Sequence, residues 1–219
     1  MIVRDARIET QRVKQVAAII LAAGQSRRFG SSPQDSKVLA LLAGRPLVLH
    51  VAQVALASRA RPVLVVMGHA SQKIEAALAG LDVHFVYNPA PAEGLSRSLK
   101  IGLEALGDEA EGALVLLADM PYVSAGLIDK LLDAFDTAPA GTQAIVPVHA
   151  GHRGNPVLLG KDIFGAVKEI EGDRGARALL DTLDHGIIEL PIDDPAIGID
   201  IDTPDMPPRA AKYEEPSNS

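Results

Sequence analysis

A chain of 219 residues suits one domain with a small extension, and 47% hydrophobic residues supply an ample core, which at 3% aromatics and no Trp must be mostly aliphatic. The formal charge of −7 argues against a nucleic-acid partner, and the few aromatics argue against a stacking platform for bases. The absence of Cys excludes a disulfide framework and thiolate metal sites, and it fits a reducing compartment.

In chain order, residues 1–15 read as a polar leader with a strand around Ile2–Ile8. Arg4, Asp5, Arg7, Glu9, Arg12 and Lys14 leave no apolar segment for a secretory signal. No apolar run reaches the length of a membrane span, so a cytoplasmic protein without a membrane partner is expected. The aliphatic run from Val16 to about Ala22 predicts a strand buried on both faces. Pro46 is placed to open a helix with Leu47, Val48, Val51, Val54 and Ala55 on one side. A second buried strand follows at Pro62–Met67, ended by Gly68. Ser71 is then placed to cap a helix that runs to Leu78 and stops at Gly80. Val83–Tyr87 predicts a strand ending at Asn88-Pro89, and Leu95–Leu106 a helix with Leu99, Leu103 and Leu106 on one face. Gly112–Ala118 reads as a strand, Ser124 as the cap of a helix through Phe135, and Ala144–Val148 and Pro156–Leu159 as further strands. The tail from about Met206 is polar and proline-rich, which predicts disorder over 206–219.

Strand and helix patterns alternate from residue 16 to about 136. This predicts a single Rossmann-like α/β domain over 16–205, with a mixed, mainly parallel sheet and helices on both faces. Ligands of such sheets lie outside the C-terminal ends of the strands, so the loops after residues 21, 67, 87 and 118 are the ones to search.

The first of these loops carries the densest chemistry. Leu21-Ala22-Ala23-Gly24-Gln25-Ser26-Arg27-Arg28-Phe29-Gly30 follows the first strand, and Lys37 comes soon after. Glycine lets the backbone approach a ligand, loop N–H groups point at phosphate oxygens, and Arg and Lys offset their charge. Neither the Walker pattern nor a Gly-x-Gly-x-x-Gly fingerprint is present. Asp119 ends an apolar strand and precedes Met120-Pro121, a position suited either to holding Mg²⁺ or to capping a turn. Ile199-Asp200-Ile201-Asp202-Thr203-Pro204 is a second acidic cluster; if extended, Asp200 and Asp202 share a face. Gly94 and Ser96 open a helix where free N–H groups suit an anion or a base edge. Arg153-Gly154-Asn155-Pro156 is a turn signal. The six His residues show no metal-ligand spacing, and no Gly-x-Ser-x-Gly elbow supports a hydrolase.

Leu-Ala-Ala-Gly-x-Ser-x-Arg-x-Gly with a downstream Lys, then Asp-Met-Pro at 119–121 and Asp-x-Asp-Thr-Pro at 200–204, resembles the molybdenum cofactor cytidylyltransferase family. These are nucleotidyltransferases that attach a nucleotide to molybdopterin. The resemblance implies that Leu21, Ala22, Ala23 and Gly24 wrap the triphosphate and that Arg28 and Lys37 neutralise it. The gap from Gly30 to Lys37 is longer than the family's usual spacing. Asp119 is implied as a Mg²⁺ ligand, joined by Asp200 or Asp202. Gly94 and Ser96 are implied at the base and ribose, and Arg153 and Asn155 at the pterin or its phosphate. Ala23 stands where the guanylyl branch tends to have Gly, which favours CTP over GTP. Cytidylyl transfer to a sugar or polyol phosphate is an alternative, and so is a cofactor-binding accessory protein serving a molybdoenzyme.

Overall fold

The computed structural model describes residues 13–24, 36–167, 169, 180, 183 and 185–201. The strand expected around Ile2–Ile8 and the tail from Met206 lie outside them.

The centre of the molecule is β1, Val16–Leu21, in which every residue is buried. Its side chains alternate between two cores. Val16, Ala18 and Ile20 face one cluster, while Ile19 and Leu21 face the other. A strand that must bury both faces cannot afford a polar position, and this explains its unbroken aliphatic run. β4 (Val63–Met67) and β6 (Gly112–Leu117) pair with it in parallel on either side.

Between β1 and β4 the chain forms a short 3-10 helix, Lys37–Leu39, then a small antiparallel hairpin of β2 (Leu41–Leu42) and β3 (Arg45–Pro46). Helix α1, Leu47–Ala57, follows. Pro46 is not the first residue of this helix, the position where proline is tolerated, but stands at its N-cap. It pairs with Leu41 and keeps an extended ψ of 143°, so α1 begins one residue later. Helix α2 is Ser71–Ala77, preceded by Ala70; Ser71 is its first residue and not its cap. Ser124 does cap α4 (Ala125–Thr137), its Oγ accepting the Leu127 N–H at 3.2 Å.

The edge strand β5, His84–Tyr87, pairs with β4, and helix α3, Leu95–Glu104, carries the chain from β5 back to β6. β7 (Ala144–His149), β8 (His152–Arg153), β9 (Val157–Gly160) and β10 (Ile187–Pro191) complete the sheet. Its order is β10-β7-β9-β6-β1-β4-β5, with β8 hanging from β7. β9 runs antiparallel between β6 and β7, so the sheet is mixed and mainly parallel. Residues of α1, α2 and α4 pack in one core, and those of α3 and the short helix α5 (Phe164–Val167) in the other. The expected two-faced α/β architecture is what the molecule has.

This order creates a switch point. The chain winds outward from β1 through β4 to β5 with helices on one face. It then returns over the opposite face, through α3, to β6. The loops leaving β1 and β6 therefore diverge, and the crevice between them is where such sheets bind ligands.

Candidate active site

The backbone register brings the two key loops together. Leu21 of β1 lies opposite Leu117 of β6, and the Ala118 N–H donates to the Leu21 carbonyl at 3.2 Å. On the other side, the Ala22 N–H donates to the Val66 carbonyl at 2.9 Å. Ala22 to Gly24 and Asp119 therefore leave the sheet side by side. Ala22 and Ala23 are buried, and Gly24 is exposed. Leu21 belongs to the core on the α3 face, so its side chain is packing and only its backbone borders the crevice. Arg28, with the rest of 25–35, lies outside the described residues.

Lys37 re-enters this crevice from the 3-10 helix. Its Nζ donates to Asp119 Oδ2 at 2.7 Å and stands 3.5 Å from Asp200 Oδ2. The Lys37 side chain is only 16% exposed, against 24% for Asp119 and 46% for Asp200. Asp200 arrives on a segment pinned at both ends. The Ile201 N–H donates to the Asp119 carbonyl at 3.0 Å, and the Ile197 carbonyl accepts the Asn155 N–H at 2.8 Å. Asp202 lies outside the described residues.

Among the described residues no group of three or more His, Cys, Asp or Glu converges on one point. The donor set at the crevice is instead a pair of carboxylates. Magnesium suits such a pair, because it is held by one or two carboxylates plus substrate phosphates and needs no full protein cage. The Lys37 ammonium seated against both carboxylates marks this as a place that stabilises a cation. His149 and His152 face each other across the β7–β8 hairpin, with His149 Nδ1 2.9 Å from the Ile192 carbonyl, and they are not part of the crevice pair.

On the β4–β5 side, Gly94 stands at φ 97° and ψ −175°, a backbone conformation open essentially to glycine alone. It directs the chain into α3. Ser96 is buried within the first turn and does not cap the helix.

Two residues that shape this side were read in the sequence only as strand ends. Asn88 is fully buried. Its Nδ2 donates to Ser98 Oγ at 3.0 Å, and its Oδ1 accepts the Ala90 N–H at 2.9 Å, which ties the loop to α3. Gly68 is where three loops meet. A Cβ there would lie 3.2 Å from the Ala23 carbonyl and 3.1 Å from Pro91 Cβ. An Asn-Pro pair and a glycine after aliphatic strands were the available signals.

On the far side, β9 runs downward, so the turn before it sits at the same edge as Asp119. This places Asn155 beside Ile197, within five residues of Ile201. Arg153 is committed to an ion pair with Glu189 of β10 at 2.7 Å. Arg153 and Asn155 thus border the edge of the crevice, while Lys37, Asp119 and Asp200 form its centre.

Residues 18–187 match the family described as the MobA-like NTP transferase domain. The bifunctional protein GlmU of Chromohalobacter salexigens is 36% identical over 152 residues, covering 69% of this chain and 32% of that protein. The chain spans about a third of the length of that relative. The crystal structure of Rv0371c from Mycobacterium tuberculosis H37Rv superposes with a TM-score of 0.75, covering 88% of this chain and 95% of that one at 24% identity. The structure of Rv0371c in complex with manganese superposes with a TM-score of 0.67 over 84% of this chain and 90% of that one, also at 24% identity. Identities at this level establish the shared fold.

Proposed function

Because the chain belongs to the MobA-like NTP transferase family, we propose that it transfers CMP from CTP to the terminal phosphate of molybdopterin. A phosphate oxygen of the acceptor attacks the α-phosphorus and forms the new P–O bond. The bond from the α-phosphorus to the bridging oxygen breaks, and pyrophosphate leaves with its electron pair. Nucleotidyl transfer is the family's activity; the base and the acceptor are our reading.

The observation that carries the reading is the pairing of Lys37 with Asp119 and Asp200 beside Ala22 to Gly24. Such transfer asks for in-line positioning and charge neutralisation more than covalent help. The Ala22 N–H is taken by the Val66 carbonyl, so the loop N–H groups that would hold the triphosphate are those of Ala23 and Gly24, with Arg28 and Lys37 opposing the charge on the departing pyrophosphate. Asp119, with Asp200 or Asp202, would hold a divalent ion, which supplies neutralisation of the phosphate oxygens. Gly94 and Ser96 would face the base and ribose, and Arg153 and Asn155 the acceptor. The manganese complex of Rv0371c supports a divalent metal here. Preference for CTP rests on Ala23, whose methyl narrows the loop where the guanylyl branch tends to have Gly.

Pyrophosphate release with molybdopterin and Mg²⁺, compared across CTP, GTP, ATP and UTP, tests this. Release with CTP in clear excess is expected. Release mainly with GTP would keep the transfer and overturn the base preference. A nucleotide that binds without release would point to a sugar or polyol phosphate acceptor, or to an accessory protein.

A further inference from the structure

The cation that meets Asp119 and Asp200 in this fold is part of the protein. Lys37 Nζ is 2.7 Å from Asp119 Oδ2 and 3.5 Å from Asp200 Oδ2, and its side chain is largely shielded from water. A divalent ion held by the same carboxylates must come within about 2.0–2.6 Å of their oxygens. The ammonium already lies at hydrogen-bond distance from the first and close to the second. The two positive centres would then share the same oxygens, and their repulsion in a half-buried site is screened far less than in water.

We propose that Lys37 is an internal, exchangeable counter-cation that competes with the divalent metal for Asp119 and Asp200. This rests on the reading of those carboxylates as metal ligands. When the triphosphate arrives, it offers the ammonium a second anionic partner and draws it off the carboxylates. Metal and nucleotide binding are then linked with positive sign, and the linkage is reciprocal. Lys37 also offsets part of the mutual repulsion of the two carboxylates. One side chain therefore does three things: it satisfies the acidic pair before loading, limits unproductive metal uptake, and turns to the phosphates once substrate is present.

The test is binding of Mn²⁺ alone, followed by electron paramagnetic resonance of the free aqua ion, to wild type, Lys37→Gln, Lys37→Arg and Asp119→Asn. Lys37→Gln is expected to tighten Mn²⁺ binding about 5–150-fold, the usual span of a coupling between sites. Lys37→Arg keeps the charge and should stay within a few-fold of wild type. Asp119→Asn should lose most of the affinity. Unchanged or weaker binding in Lys37→Gln, with Asp119→Asn still impaired, would overturn the competition and leave the metal ligands standing. Wild-type affinity in Asp119→Asn would instead remove the metal reading itself. Thermal unfolding supplies the second measurement, run also on Lys37→Met. Without metal these neutral variants should melt below wild type, and Mn²⁺ should raise their Tm more than it raises that of wild type. An equal rise in all three proteins would count against the proposal.

Discussion

At the scale of single residues, Asp119 carries the sharpest expectation. Its side chain is a quarter exposed, hydrogen bonded to Lys37, and set at the end of a fully packed strand. Asp119→Ala should leave the fold intact and cut nucleotidyl transfer on the order of 10²–10³-fold, by analogy with loss of one preorganised charge-stabilising group. Single-turnover pyrophosphate release checks it, and near-wild-type turnover would take Asp119 out of the chemistry. Asn88 should behave differently. Asn88→Ala removes two hydrogen bonds from a fully buried position, which costs about 1–3 kcal/mol. Urea unfolding should show that loss as a lower midpoint at unchanged slope, and the KM for nucleotide should rise with little change in kcat. Asp119 stood out in the sequence because a carboxylate at the end of an aliphatic strand is conspicuous, whereas Lys37 was marked only by the motif that precedes it. Asn88 was not, because a buried amide and a turn-forming amide look alike until Ser98 is seen ten residues on and in contact.

At the scale of elements, the contact between α3 and the sheet sets where Gly94 and Ser96 lie. Gly102 makes that contact close, because a Cβ there would fall 2.7 Å from Ile19 Cγ2 and 3.1 Å from Val66 Cγ2. Two effects oppose each other in Gly102→Ala. Helix propensity favours Ala by up to about 1 kcal/mol, while overpacking a core costs about 1–3 kcal/mol. Ile19 is fully buried in the central strand and has nowhere to move, so overpacking should win. A lower Tm is expected, and a raised one would show that α3 is not held so tightly. The doubly buried strands β1, β4 and β6 were readable because their aliphatic runs are unbroken. β10 was missed because it is only half buried, pairs among the described residues with β7 alone and ends on Pro191, so it carries no unbroken apolar run. Pro46 misled for a related reason: a proline that can start a helix can equally end a strand.

At the scale of the whole molecule, the segment from Ile197 to Ile201 acts as a strap between the β8–β9 turn and Asp119. Gly154 lets it close, since a Cβ there would meet the Ile197 carbonyl at 2.5 Å. Gly154→Ala should displace the strap and Asp200 with it. A misplacement of about 1 Å at a site of this kind costs on the order of 10²-fold in rate. Turnover should fall accordingly while circular dichroism stays native, and unaltered kinetics would show that the strap does not position Asp200. No local pattern announces such a contact. Alternation of strands and helices revealed the sheet and its ligand edge, but the docking of a late segment on an early loop is a tertiary event.

The strap also orders events in time. Lys37, Asp119 and Asp200 leave the ribosome in that sequence, and roughly 80 residues separate the last two, about 4–16 s at ordinary synthesis rates of 5–20 residues per second. Lys37 is already made when Asp119 appears, whereas the Ile201 N–H that fixes the Asp119 carbonyl comes only with the strap. The growing polypeptide completes its acidic pair only as the last part of the sheet and the strap come into place.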